Sequence, residues 1–278
     1  MTSVPDRGAP STSPSRAPSA LRAAATALAR EAGAILLEGY GRAHRPERKG
    51  RIDLVTEYDR RSEALLLDRL RERFPGDTLF AEESGVHAGT AGNVRWLVDP
   101  LDGTTNFAHN YPFFAVSIAA EVGGRLTAAA VYDPVRDEMF DAAAGEGAAL
   151  NGRPIRVTDV DRLEDALLVT GFPYSIREDP EPTLRLFRAF LVRAQGIRRD
   201  GSAALNLCYL ACGRFDGFWE TDLSPWDMAA GVLIVREAGG LVTGFEDEEF
   251  RVEVPRILAS NGALHSAMRE VMTSATAK

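Results

Sequence analysis

WLVDPLDGTTNF (Trp96–Phe107) sets two carboxylates three positions apart directly after an apolar run. Trp96, Leu97 and Val98 read as a buried strand that Asp99 ends. Pro100, Asp102, Gly103, Thr104, Thr105 and Asn106 then follow, the composition of a turn leading into a helix start. Buried carboxylates are costly unless a cation or hydrogen-bond donors meet them. Asp99 and Asp102 around Pro100, with the Leu101 carbonyl, predict a tight turn that gathers oxygen ligands on one side. Hard oxygen donors of this kind select Mg²⁺ or a similar cation. Free backbone N–H groups at Gly103–Thr104–Thr105 suit an anion, most simply a phosphate. Together these features point to phosphoryl chemistry, where cations neutralise phosphate oxygens and acidify the attacking water.

Working outward, SALRAAATALAREAGAILLEGYG from Ser19 carries Leu21, Ala25, Leu28, Ala32, Ile35 and Leu36 on one helical stripe. A basic, turn-like HRPERKGRID leads to a second helix over TEYDRRSEALLLDRLRERF, stopped by Pro75-Gly76-Asp77. TLFAEES reads as a short strand with Glu82 and Glu83 at its end. After the opening motif, FFAVSIAAEV, RLTAAAVYDP and DEMFDAAAG form a strand series with joins short enough for antiparallel pairing. Beyond Arg156 the texture alternates: strand LLVTGF, helices TLRLFRAFLVRA and GSAALNLCYLACG, strand FDGFWE, helix SPWDMAAGVLIVREAGG, strands LVTGF and RILASN, and a final helix. This predicts a disordered tail over residues 1–18, an α+β unit with an antiparallel sheet over 19–156, and an α/β unit over 157–278, stacked as layers of helices and sheets.

The 278 residues include 32 basic and 40 acidic ones, a net charge of −8 that argues against direct nucleic-acid binding. No apolar run is long enough to span a bilayer, and the Pro-, Ser- and Arg-rich first residues lack the apolar core of a secretory signal. Cys208 and Cys212 stand one helical turn apart, poor geometry for a disulfide, so a cytoplasmic protein is expected. The four His have no zinc-type spacing. Asp59, Glu82, Glu83, Asp99, Asp102, Glu220 and Asp227 instead sit at strand ends or helix starts. Taken singly, most have a plain explanation: Asp227 serving the first turn of its helix, Asp59 a solvated helix residue, Glu82-Glu83 an acidic loop. Asp99, ending the most apolar strand of its region, does not.

WLVDPLDGTTNF with PFFAVSIA resembles the first signature of the inositol monophosphatase family, and PWDMAAGVLIVREAGG its second. IDLVTEYD and LFAEESG match the upstream motifs in order and spacing, so the resemblance runs from about residue 20 to the end. It implies a layered αβαβα sandwich, of the type also found in fructose-1,6-bisphosphatase, usually forming a homodimer. It further implies a lithium-sensitive phosphatase using two or three Mg²⁺. Position by position, Glu82, Asp99, the Leu101 carbonyl, Asp102 and Asp227 match metal ligands, with Glu83 supporting Glu82. Thr104 and Asp59 match the pair that orients and deprotonates the attacking water. Gly103 and Thr104 amides match the phosphate cradle; Gly201, Ser202 and Ala203 match a substrate-contacting turn; Glu220 matches the carboxylate that binds sugar-alcohol hydroxyls, and Asp102 and Asp227 border the same substrate.

The implied reaction is hydrolysis of a small polyol phosphate, foremost inositol 1-phosphate. Histidinol phosphate, fructose 1,6-bisphosphate and adenosine 3′,5′-bisphosphate are alternatives within the family, and binding to a transcription complex through the outer surface is an alternative of another class. The family's basic residue before DLVT falls between Arg48 and Lys49 here, and Asn206 stands where many bacterial relatives carry Asp.

Overall fold

The computed structural model describes residues 16–42, 46–48, 54–90 and 93–276. Most of the tail expected over 1–18, and Lys49, lie outside the described residues. The chain runs through α1 (Pro18–Gly39), β1 (Glu47–Arg48), β2 (Leu54–Val55), α2 (Glu57–Arg73), β3 (Thr78–Ala81), β4 (Gly85–His87), β5 (Val94–Asp102) and α3 (Thr104–Ala108). Next come β6 (Ala115–Val122), β7 (Arg125–Asp133), β8 (Glu138–Ala143), β9 (Gly147–Leu150), β10 (Arg153–Pro154), β11 (Leu167–Thr170), α4 (Glu181–Leu191) and β12 (Gly196–Arg198). The remainder is α5 (Ala203–Ala211), β13 (Gly217–Thr221), α6 (Pro225–Glu237), β14 (Leu241–Thr243), β15 (Arg256–Ser260) and α7 (His265–Thr276).

Eight strands form one sheet in the order β10-β9-β8-β7-β6-β5-β3-β4, antiparallel throughout except where β3 runs parallel to β5. A five-stranded sheet has the order β12-β11-β13-β15-β14, with β11 parallel to both of its neighbours. The central strands of the larger sheet are apolar on both faces, which is why they read as nearly unbroken hydrophobic runs. Val116, Ile118 and Ala120 of β6 pack with α1 and α2, whereas Ala115 and Ala119 pack on the opposite side with residues of α5 and α6. β7 divides in the same way, Ala128 and Ala130 to one core and Ala129 and Val131 to the other. A third core joins the smaller sheet to α4 and α7 through Leu168, Phe190, Trp219, Leu258 and Met268. The layers are therefore α1/α2, sheet, α5/α6, sheet, α4/α7: the expected αβαβα sandwich.

Helix α1 lies close on the sheet because its buried face alternates Leu21, Leu28 and Leu36 with alanines, and because position 33 is glycine. A Cβ at Gly33 would stand 2.6 Å from the Tyr132 ring. Cys208 is buried and Cys212 half-buried, both as free thiols. Among the described residues no helix is long and apolar enough to cross a membrane.

Two local expectations are corrected. HRPERKGRID contains β1, which pairs antiparallel with β2 (Glu47 opposite Val55), so part of the turn-like segment is a small hairpin. The expected tight turn at Asp99–Asp102 is instead a bulged continuation of β5: Asp99 pairs with Ser117 and Asp102 with Ala115, with a register shift between them. Pro100 has no N–H to give to β6, so the ladder lapses there and resumes at Asp102.

Candidate active site

The bulge is held from three directions. The Asp99 carboxylate accepts the Leu101 N–H at 2.9 Å, Ser62 of α2 donates to the Pro100 carbonyl at 2.9 Å, and the Thr104 hydroxyl lies 3.1 Å from the Leu101 carbonyl. Gly103 then turns the chain with φ of +93°, and a Cβ there would meet the Phe113 carbonyl at 3.0 Å. Only glycine suits both conditions.

Asp59 is fully buried, not solvated. It occupies the third position of α2, where one oxygen accepts the Thr56 N–H at 2.8 Å and the Thr56 hydroxyl at 2.6 Å. This reciprocal cap, typically worth about 1 kcal/mol, fixes the carboxylate. Its other oxygen faces the Thr104 hydroxyl at 3.0 Å, so residues 45 positions apart meet. The Glu82 N–H donates to the Val98 carbonyl at 3.2 Å, placing the residue after β3 beside the end of β5. Glu83 donates its N–H to the buried Glu63 carboxylate at 2.8 Å. Thus Glu63, unnoticed in the sequence, holds the Glu82–Glu83 turn.

Asp102 reaches the N-terminus of α5. One of its oxygens accepts both the Ser202 hydroxyl and the Ala204 N–H, the latter at 2.8 Å. The turn that supplies Gly201, Ser202 and Ala203 therefore touches Asp102 itself. Asn106 ties α3 to the same turn, donating to the Phe113 and Asp200 carbonyls at 2.7 Å each. Asp227 is the third residue of α6, and it accepts the Ser224 N–H at 2.7 Å in a second reciprocal cap. Its helix-starting role and its place in the acidic group coexist. Glu220, near the end of β13, lies directly over Gly171: a Cβ there would sit 1.8 Å from its carboxylate.

The electrostatics follow from this gathering. Burial pushes the Asp99 carboxyl well above the usual carboxylate range, and Glu82, Asp102 and Asp227 push it further. Asp227 is raised well above that range by burial, then by Asp102, against the opposing Ser224 N–H. Burial raises Asp102 to about 6, although Ser202 and the N–H groups opening α5 pull it down. Glu220 rises to about 8 through burial and the Asp102 charge, with Arg199 acting in the opposite sense. Asp59 is also raised by burial, against its bonds to Thr56 and Thr104.

Among the described residues, no three His, Cys, Asp or Glu side chains already surround a point where an ion would sit. The carboxylates also accept N–H and hydroxyl donors, Asp99 from Leu101, Asp102 from Ser202 and Ala204, Asp227 from Ser224, while Asp99 meets Glu82 as well. The donor set nevertheless fits divalent cations. It is all oxygen, and its carboxylates disfavour one another's ionisation, a conflict that added positive charge relieves.

This conflict has a pH signature in cation-free protein. The folded values for Asp102 and Glu220, about 6 and about 8, lie above the ordinary 3.8 and 4.5 expected of an unfolded chain. The folded state then binds protons more tightly. Its advantage is complete below the unfolded values and is lost as pH rises through the folded ones. In chelator, calorimetry should give a higher Tm at pH 5 than at pH 8.5, and saturating Mg²⁺ should shrink the difference. A Tm in chelator that is flat over this interval would contradict the raised values.

A layered αβαβα sandwich with carboxylates gathered at the end of β5 and the starts of α5 and α6 is the arrangement of a known phosphatase family. The model of the inositol monophosphatase family matches residues 17–277, and the chain belongs to that family. It is 43% identical over 251 residues to an inositol-1-monophosphatase of Synechocystis sp., covering 90% of this chain and 88% of that one. It is 42% identical over 246 residues to the Nus factor SuhB of Escherichia coli K12, covering 88% and 92%. The solved structure of inositol monophosphatase from Anabaena (Nostoc) sp. superposes with a TM-score of 0.84 at 42% identity, over 92% of this chain and 96% of that one.

Proposed function

We propose that the protein hydrolyses a phosphate monoester of a small polyol, foremost inositol 1-phosphate, by attack of water assisted by Mg²⁺. The observation that carries this reading is the convergence of four acidic side chains from three segments (Glu82, Asp99 with Asp102, and Asp227) beside the Thr104–Asp59 pair. Glu82, Asp99, the Leu101 carbonyl, Asp102 and Asp227 would hold two or three cations, which when bound supply charge for the phosphate oxygens and for the leaving alkoxide. Thr104 donates its hydroxyl proton to Asp59 and so presents its oxygen lone pair to the attacking water. Asp59, locked by Thr56 on one oxygen and raised by burial, is a suitable proton acceptor through Thr104. Gly103 and Thr104 N–H groups orient the phosphate. Gly201, Ser202 and Ala203 border it through Asp102, and Glu220 addresses the hydroxyls of the leaving alcohol. Inhibition by lithium and assembly as a homodimer are part of the same proposal.

The test is hydrolysis of inositol 1-phosphate, histidinol phosphate, fructose 1,6-bisphosphate and adenosine 3′,5′-bisphosphate, with Mg²⁺ and with chelator. Fastest turnover of inositol 1-phosphate, lost in chelator and restored by Mg²⁺, is expected. An undiminished rate in chelator would remove the cations from the reaction.

Several SuhB relatives are named Nus factors, which supports a second reading in which the outer surface joins a transcription complex. A variant with a disabled acidic site should still be captured by such a complex. Loss of capture along with the site would count against a separate surface.

A further inference from the structure

Glu220 by itself would welcome a leaving alcohol that carries an ammonium group. Its immediate surroundings point the other way. Gly171 passes beneath the Glu220 carboxylate, and the next residue, Phe172, offers its ring to the Arg199 guanidinium, 5.6 Å from the centroid. The same arginine acts electrostatically on Glu220. Gly171, Phe172, Arg199 and Glu220 are thus neighbours, and Asp102 acts electrostatically on the same Glu220. Arg199 also belongs to the turn that opens α5: its Nη1 lies 3.0 Å from where a Cβ on Gly201 would stand. That turn is bound to Asn106 through Asp200 and to Asp102 through Ser202. The base of the side chain is therefore fixed relative to the acidic group. Arg199 is exposed in the single chain, and among the described residues no carboxylate stands within ion-pair distance of it. Most arginines on the larger sheet and its helices are already tied to carboxylates, such as Arg95 to Glu121 and Arg22 to Asp141. A cation resting on an aromatic face with hydrogen-bond donors unspent can serve a ligand.

We propose that Arg199, seated on Phe172 beside Glu220, sets the charge preference for the leaving alcohol. It admits alcohols that are neutral or carry a further anionic group, and it disfavours those that carry an ammonium. The proposal rests on the hydrolase reading above and deepens it. Like-charge juxtaposition is an efficient way to reject a wrong ligand, because repulsion costs only the competitor. Screening at an exposed guanidinium limits the effect to about fivefold per substrate. Arg199 is not among the groups assigned to the phosphate, so its influence belongs in KM rather than kcat.

The experiment compares wild type, Arg199→Ala and Arg199→Lys on inositol 1-phosphate, histidinol phosphate and fructose 1,6-bisphosphate, with Mg²⁺ present. In Arg199→Ala, kcat/KM should rise about fivefold for the ammonium ester and fall about fivefold for the bisphosphate. The neutral polyol ester should change by less than about twofold, with every shift in KM. Arg199→Lys keeps the charge and should stay close to wild type. Calorimetric binding of histidinol itself, which needs no turnover, should tighten in Arg199→Ala and not in Arg199→Lys. An equal factor on all three esters, or unchanged histidinol binding in the alanine variant, overturns the assignment while leaving the hydrolase reading intact. No turnover of any ester by wild type would instead overturn the hydrolase reading, and this proposal with it.

Discussion

Asp99→Asn should lose turnover by a factor on the order of a thousand while the cation-free protein becomes more stable. Asparagine keeps an oxygen for the Leu101 N–H, so the bulge at the end of β5 survives. What disappears is a carboxylate held beside Glu82, Asp102 and Asp227. At neutral pH that group is either buried as a charge among like charges or protonated from dilute solution, and asparagine requires neither. Relief of about 1 kcal/mol corresponds to a rise of about 2–4 °C in Tm for a chain of this size. The gain in Tm on adding Mg²⁺ should shrink in the variant. Calorimetry in chelator and in Mg²⁺, alongside steady-state rates, reads all three effects. Retention of more than about a tenth of wild-type turnover would remove Asp99 from the reaction.

Thr104→Ala should lower kcat about a hundredfold with KM nearly unchanged, and Thr104→Ser should recover most of the loss. The distinction matters because the Thr104 hydroxyl lies near both Asp59 and the Leu101 carbonyl. A merely structural hydroxyl would show its absence in Tm and in cation affinity, through a displaced Leu101 carbonyl. A hydroxyl that passes the water's proton toward Asp59 shows it in kcat and in the pH profile of kcat. Equal kcat for the serine and alanine variants would sink the proton-transfer role.

The large features of the fold were legible because they follow from periodicity. The stripe of Leu21, Leu28 and Leu36 defines α1, and the doubly apolar runs of β6 and β7 mark strands covered on both faces. Asp99 stood out because a carboxylate ends an apolar strand. Asp59 did not, since its burial arises from the docking of α2 on β5, which no local pattern reveals. Thr56-x-x-Asp59 does carry the spacing of a helix-starting cap, and that signal could have raised Asp59 earlier. Pro100 announced an interruption, but whether it makes a turn or a bulge depends on β6 resuming its pairing at Ala115. Glu63, Gly171 and Arg199 were illegible for a different reason: each acquires its meaning from a partner 20 to 49 positions away. Asn206 is fully buried, with both ends of its amide lacking a protein partner, and nothing in the structure explains its presence on α5.

The middle layer of the sandwich has a consequence for how the molecule is made. One face of the central strands of the eight-stranded sheet, including Ala115, Ala119, Ala129, Val131 and Phe140, is covered by α5 and α6. Every strand of that sheet has been synthesised by residue 154, yet its cover is complete only at residue 237. A sheet assembled before α6 emerges would show a bare apolar surface to the solvent. Such a surface invites association with other nascent chains or retention by a chaperone. A ribosome stalled between these points would therefore release a sticky fragment instead of a smaller folded protein.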